Sequence, residues 1–330
     1  MDLITSRNEF SMEIFMTSQP PSERRITAST RWITQAQLAA FEASATTAHR
    51  LFTDQDGWVE RFGSDILLSY KHEGMRESLI AGLDNWARET GFSVQRIFGK
   101  LLPKQNEDRV APVLIRGDEG ASLITVVSEN GVKYGLDFGA GYSAGLFLDQ
   151  RANRSLVRRS GPKNVLNTFA YTCSFSVVAA LAGAQTVSID LSKKSLDRGR
   201  ENFRLNDLDE SGHRFLADDV VDVLPRLARR GDQFDTIILD PPTFSRGNKG
   251  RKFQVEQNLE DLLSGALEVA TTSARILLST NCTKLDRRTL EKLARYCLKL
   301  TRRQGSFHSE PDLPDIPPSL SAQTLWLMLR

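Results

Sequence analysis

From residue 163 onward, short apolar runs alternate with segments whose apolar positions recur every three to four residues. The runs at 165–168, 186–190, 214–217, 234–240 and 274–281 read as buried strands, and the segments at 174–182, 193–206, 220–229, 254–271 and 287–302 as helices. Such alternation predicts an α/β fold, a parallel sheet wound with helices on both faces. Two short strands near 306–308 and 324–329 have no long helix between them, so they are expected as a reversed, hairpin-like terminal pair. The front of the chain differs. Residues 1–31 are polar, hold no period and read as a flexible tail. A helix rich in Ala and Gln is expected at 32–50, a strand pair broken near Gly63 at 58–70, and an amphipathic helix at 76–90. Alternating runs at 113–115, 123–129 and 132–138 follow, and Asn130-Gly131 is a strong two-residue hairpin signal. This part is a small α+β unit that announces no chemistry by itself.

Composition narrows the class only a little. The 330 residues are 40% hydrophobic and 25% charged, as in an ordinary soluble protein. No apolar run approaches a membrane span, and Asp2, Arg7, Glu9 and Glu13 interrupt any signal-peptide core. Cys173, Cys282 and Cys297 lack metal-ligand spacing, so no metal is expected, and a reducing cytoplasm is the expected compartment. The net charge of +2 means that any nucleic-acid contact must come from local clusters.

The most informative stretch runs from Phe234 to Phe244, FDTIILDPPTF. An apolar, β-branched strand stops at Asp240, and Pro241 and Pro242 cannot donate to the ladder. The result is a rigid ledge at the carboxyl end of a central strand, where open α/β sheets place their ligands. A carboxylate, prolyl carbonyls and the Phe244 ring together suit a flat, hydrogen-bonding substrate.

The first strand-to-helix turn, from Asn167 to Phe175, contains no glycine. A dinucleotide site requires a glycine-rich turn that brings backbone N–H groups to a pyrophosphate, so NAD and FAD are disfavoured. Thr172, Cys173 and Ser174 still permit a tight entry into a helix, whose positive end suits a carboxylate. S-adenosylmethionine carries a carboxylate and a sulfonium in place of phosphates. Asp190, ending the next strand, is the candidate for the ribose hydroxyls, with Ser192 as the helix cap. Of Asp218 and Asp219 at the end of the third strand, one is expected to cap a helix, and Asp219 to accept from the adenine amino group. The Gly139–Gly145 run precedes no strand-to-helix crossover and is weak evidence for a nucleotide loop.

The predicted layout resembles the class I S-adenosylmethionine-dependent methyltransferases, with a seven-stranded Rossmann-like sheet. Four segments carry a closer resemblance: Gly145-Leu146-Phe147-Leu148-Asp149-Gln150-Arg151, the turn from Asn167 to Ser176, Asp190-Leu191-Ser192, and Asp240-Pro241-Pro242-Thr243-Phe244-Ser245. Together the chain is similar to the large-subunit ribosomal RNA methyltransferases that include cytosine-C5 enzymes and the guanine-N7 half of a bifunctional enzyme. The resemblance implies a small α+β domain at 32–130, a candidate RNA contact, ahead of a methyltransferase domain at 131–330. It implies that Asn167, Tyr171 and Ser174 line the methionine end of S-adenosylmethionine. Asp190 would hold the ribose, Asp219 the adenine edge, and Asp240 with Pro241 the site of transfer. Asp149 and Arg151 would lie against the cofactor, with Arg151 pairing its carboxylate. The chain departs from that family's pattern at Cys173 and Ser174, where members commonly carry glycines.

The resemblance leaves the acceptor atom open. A nitrogen such as guanine N7 brings its own lone pair and needs only hydrogen bonds from the ledge and stacking on Phe244. Cytosine C5 needs a covalent thiolate adduct, for which Cys282 is the candidate. The segment after the ledge holds Arg246, Lys249, Arg251 and Lys252 with two glycines, and reads as a mobile positive lip for RNA phosphates. A protein amide or small molecule is an alternative acceptor, and a non-catalytic RNA-binding protein of the same fold is an alternative of another class.

Overall fold

The computed structural model describes residues 32–103, 109–247, 250 and 252–330; the expected tail and the candidates Lys249 and Arg251 lie outside them. The first sheet has five strands in chain order: β1 (Ala48–Thr53), β2 (Gly57–Phe62), β3 (Asp65–Tyr70), β4 (Arg96–Leu101) and β5 (Val113–Arg116). Helix α1 (Gln35–Ala43) precedes it, and α2 (Glu73–Thr90) makes the crossover that lets β3 and β4 pair in parallel. Leu79, Leu83 and Trp86 of α2 pack on Leu51, Val59, Ile66, Leu68 and Ile97. The helix expected over 32–50 is shorter than its pattern. Ala45 turns into the left-handed region, and the Thr47 N–H donates to Ser128 O at 2.8 Å, which draws the chain away into β1.

The hairpin of β6 (Ile124–Glu129) and β7 (Val132–Asp137) follows, with Asn130 and Gly131 both at positive φ, as a two-residue primed turn requires. A fully buried pair, Arg154 to Glu129, ties it to helix α3 (Arg151–Arg159).

The second sheet holds β8 (Asn164–Thr168), β9 (Gln185–Asp190), β10 (Arg214–Ala217), β11 (Phe234–Leu239), β14 (Ala270–Thr280), β15 (Gly305–His308) and β16 (Gln323–Leu329). Their order is β10-β9-β8-β11-β14-β16-β15. A short ribbon of β12 (Phe244–Arg246) and β13 (Lys252–Gln254) stands between β11 and β14. Five strands are parallel; β16 lies between β14 and β15 and pairs antiparallel with both. Of the terminal pair, then, only β16 runs against the sheet. Helices α4 (Ser174–Leu181), α5 (Lys193–Leu205), α6 (Val220–Arg230), α7 (Val255–Glu268) and α8 (Arg287–Leu300) complete the unit.

Alternation sorts the strand residues between two cores. Ile237, Leu239, Ile276 and Leu278 face α6, α7 and α8, whereas Ile238, Leu277 and Trp326 join the core that includes Val177 of α4. Strand β14 starts at Ala270, earlier than the expected 274, because Phe234 N–H donates to Val269 O and recruits the end of α7 into the ladder. The chain order reverses between β8 and β11, so a crevice opens at their carboxyl ends. Among the described residues no helix is long and apolar enough to cross a membrane.

Candidate active site

The turn from β8 into α4 carries three left-handed residues that are not glycine, Phe169, Tyr171 and Cys173. Each such residue costs roughly 1–2 kcal/mol, so the turn must be held from outside. Tyr171 N–H donates to Asp190 Oδ2 at 2.8 Å, and its hydroxyl donates to Ser143 O at 2.8 Å. Thr172 Oγ1 donates to Gly145 O at 2.6 Å, and Asn202 Nδ2 donates to Thr172 O at 2.9 Å. A turn of this kind gathers backbone N–H groups at the positive end of α4, a cradle suited to a carboxylate. Ser174 opens α4 half-buried. Asn167 is buried, and its Nδ2 donates to Ser176 Oγ at 2.9 Å, which locks β8 to the helix.

Asp190 stands at the end of β9 with both oxygens engaged, Oδ2 by Tyr171 N–H and Oδ1 by Ser192 N–H, each at 2.8 Å. A carboxylate oxygen accepts two hydrogen bonds, so capacity for ribose hydroxyls remains. Burial raises its pKa. Ser192 caps α5 through Ser195 N–H, as its position in the sequence suggests. At the next strand end the helix cap is Asp219 itself, whose Oδ1 accepts from Val221 N–H at 3.0 Å. Asp218 pairs with Arg226. The cap thus falls on Asp219, the residue expected to face the adenine, and not on its neighbour.

Asp240 follows β11 and keeps a partly exposed face, yet its carboxyl is pushed up to about 6. Burial is the main cause; a hydrogen bond from Ser279 opposes it, and the charge of Asp149 adds to it. Ser279 is set in turn by Gln150 Nε2, which donates to its Oγ at 2.9 Å. Sequence reasoning missed this Gln150–Ser279 support, for which the segment around Asp149 was the signal. Asp149 accepts from Ala322 N–H at 3.0 Å and is also raised by burial. On its other side lies a cavity of about 440 Å³ bounded by Asn153, Arg287, Asp312 and Gln323. Pro241 is buried, and Phe244 is half exposed on β12.

One expected role needs correction. Arg151 is buried, and its guanidinium is bound to the buried Asp315 and stacked 5.1 Å from the Phe41 ring. That fork is spent on an internal carboxylate. Cys282 is buried in the core, and its Sγ donates to Glu256 Oε1 at 3.3 Å. Burial first and then Glu256 push the thiol up, so it is not ionised in advance, and attack through it would require Glu256 to take its proton. The base of the expected lip is a two-stranded ribbon. Cross-strand partners share a face, so Phe244 and Arg246 stand beside Gln254 and Lys252, while Phe253 turns inward to Phe169 at 5.6 Å. Arg246 and Lys252 are exposed.

The sequence of residues 89–328 matches the S-adenosylmethionine-dependent methyltransferase family. The chain belongs to that family. It is 32% identical over 304 residues to "Putative ribosomal RNA large subunit methyltransferase YwbD" of Bacillus subtilis (strain 168), covering 87% of this chain and 74% of that one. It is 33% identical over 235 residues to ribosomal RNA large subunit methyltransferase I of Escherichia coli O157:H7, covering 69% of this chain and only 57% of the relative. Among solved structures, SMU.776, "a putative methyltransferase complexed with SAH", superposes with a TM-score of 0.76 at 25% identity, over 90% of this chain and 79% of that one. The methyltransferase uses S-adenosylmethionine, and the cradle at Tyr171–Ser174 with Asp190 and Asp219 behind it fits that molecule's carboxylate, ribose and adenine in turn.

Proposed function

We propose that this methyltransferase acts on a base in RNA, with large-subunit ribosomal RNA as its substrate, in the cytoplasm. The observation that carries the reading is the ledge and ribbon taken together. Asp240 can hold the edge of a base, and the ribbon presents Phe244, Arg246 and Lys252 on one face immediately after it. An aromatic ring beside a pair of cations is what an unstacked nucleotide needs: a surface for the base and charges for its phosphates. The names of the Bacillus and Escherichia relatives support the same substrate.

S-adenosylmethionine, when bound, supplies a methyl group on a sulfonium. The protein's residues position and desolvate. Asn167, Tyr171 and Ser174 shape the end nearest the methyl group, Asp190 and Asp219 fix the nucleoside, and Asp149 closes the crevice beside Asp240. Asp240 and the Pro241 carbonyl orient the acceptor, which attacks with its own lone pair. With the Cys282 thiol held protonated against Glu256, a ring nitrogen such as guanine N7 is the favoured acceptor over cytosine C5. The division at 130/131 falls on the hairpin turn, so the small unit and the transfer unit share that hairpin.

The test is mass spectrometry of nucleosides from large-subunit ribosomal RNA incubated with the wild type and with Asp240→Ala. A new methylated nucleoside is expected for the wild type alone, with S-adenosylmethionine binding retained by the variant in calorimetry. Equal methylation by both proteins refutes the role of Asp240, and none by either refutes the substrate.

A further inference from the structure

The five-stranded sheet turns one face to α1 and α2, and the other carries Leu67 and Phe98 into the core shared with Phe138 and Leu148. Beyond that apolar area the same face becomes polar. Register sets Arg50 opposite Glu60, Thr53 opposite Trp58, Trp58 opposite Ser69, and Ser69 opposite Lys100. Arg50 is buried and bonds Glu60 through Nη2 at 3.1 Å. Its Nε and Nη1 find no hydrogen-bond partner among the described residues, and neither do the buried hydroxyls of Thr53 and Ser69. Lys100 is buried beside them, with Nζ 3.4 Å from Tyr142 O and 4.3 Å from the centre of the Tyr142 ring. Exposed Arg109 reaches the same ring from outside, 5.4 Å from its centre.

Buried polar groups in folded proteins are almost always paired. Here donors without hydrogen-bond partners gather on one patch, and among the described residues Arg50, Lys100 and Arg109 face Glu60, with Asp149 near enough to Arg50 to feel its charge. That surplus of donors and positive charge calls for oxygen acceptors with negative charge. We propose that this patch is an oxyanion site that takes a backbone phosphate of the RNA next to the target base. The inference rests on the RNA reading above and adds to it where the strand is gripped.

The site's place in the molecule supports this choice. Strand β1 packs on the Leu148–Gln150 turn that presents Asp149, so the patch borders the crevice from the small-sheet side. Its cover is the segment holding Tyr142, flanked by Gly141 and Gly145 at φ of 141° and 139°. Those conformations are ones that glycine adopts without strain. Ser143 O in that segment accepts the Tyr171 hydroxyl, so the cover is fastened to the cofactor turn. A phosphate entering under Tyr142 meets Arg109 first and then Lys100, Ser69 and Arg50.

The same chemistry could hold the carboxylate of S-adenosylmethionine, and the experiment separates the two sources. Lys100→Gln removes a buried charge, and Arg109→Gln removes an exposed one with little risk to folding. Binding of in vitro transcribed large-subunit ribosomal RNA is measured across a salt series, with S-adenosylmethionine affinity followed by calorimetry. Each variant is expected to lose about ten-fold in RNA affinity, to flatten the slope of log K against log salt by about 0.7, and to bind S-adenosylmethionine as the wild type does. RNA affinity and slope within two-fold of wild type in both variants would overturn the site. So would a loss confined to S-adenosylmethionine binding, which would assign the patch to the cofactor's carboxylate. A wild-type chain that methylates RNA beside unaffected variants removes this inference alone; one that neither binds nor methylates RNA removes the RNA reading and this site with it.

Discussion

A Cβ on residue 199 would stand 2.5 Å from the Cys173 sulfur and 2.9 Å from its Cβ, so the cysteine of the cofactor turn and the glycine of α5 share one volume. This explains how the turn tolerates a side chain at Cys173, whose φ of 60° would suit glycine. Gly199→Ala is therefore expected to destabilise the protein by about 1–3 kcal/mol through overpacking. Adding Cys173→Gly should return most of that loss, since it removes the clash and the left-handed strain together. Urea midpoints for the two single variants and the double variant check this; strictly additive changes would show that the residues do not share space.

Arg151 supplies a second prediction. Its pair with Asp315 is buried on both sides, and Asp315 also accepts from Arg50 N–H at 2.9 Å. Arg151→Met strands a buried carboxylate, and a loss of about 3–5 kcal/mol is expected. Arg151→Met with Asp315→Leu removes both charges and should be less destabilised than the single variant. Chemical denaturation measures the loss, and calorimetry at a temperature where the single variant is folded should find S-adenosylmethionine affinity near wild type. A large loss of affinity without a loss of stability would return Arg151 to the cofactor.

The same side chains show what the sequence reveals and what it hides. The doubly wound sheet is legible because β8, β11 and β14 carry the apolar runs Val165-Leu166, Ile237-Ile238-Leu239 and Ile276-Leu277-Leu278, buried on both faces. Asp240 is legible because two prolines mark the end of its strand. Strands β1 and β4 and helix α3 are not. Their interior positions include His49, Arg50, Lys100, Asn153 and Arg154, polar residues that count as surface in any pattern. Two of them are tolerated inside through residues far away in the chain: Arg154 by Glu129, and Asn153 by the Trp326 indole, which donates to its Oδ1 at 2.9 Å. Nothing local announces those partners, and Asp315, which occupies Arg151, sits in a loop with no periodicity at all. The ledge can be read from its own residues, whereas the support behind it depends on contacts that the folded chain creates.

Cys282 offers a chemical test of the acceptor. Burial and Glu256 both disfavour its thiolate, so alkylation by iodoacetamide at pH 8 should be slow in the folded protein. Cys282→Ala should retain methyl transfer within about three-fold, because no covalent adduct to a ring carbon is required for a nitrogen acceptor. Activity assays on the methylated nucleoside decide the matter. Loss of transfer by two or more orders of magnitude, with folding intact by circular dichroism, would make Cys282 a nucleophile and the acceptor a carbon.

The raised carboxyl of Asp240 predicts how stability and activity divide with pH. Its folded value, about 6, lies above the roughly 3.9 of an unfolded aspartate. The folded state thus holds this proton more tightly than the unfolded chain does. Between those two values the unfolded chain releases the proton first, and above about pH 6 the native state carries the full cost of a charge crowded by burial and by Asp149. Asp240→Asn keeps the shape and removes that cost. The variant is expected to melt above the wild type at pH 8, with the gap closing as pH falls through 6 and gone below about 4, where both side chains are neutral. Activity should move the other way. If the ionised ledge orients the acceptor, kcat/KM of the wild type rises with one ionisation near pH 6, and the asparagine variant loses both that limb and most of its turnover. Melting curves and rate profiles on the same preparations test the two halves together. A variant no more stable than wild type at pH 8 would mean that Asp240 is ionised without strain, and a wild-type profile flat from pH 5 to 7 would remove its charge from the transfer step.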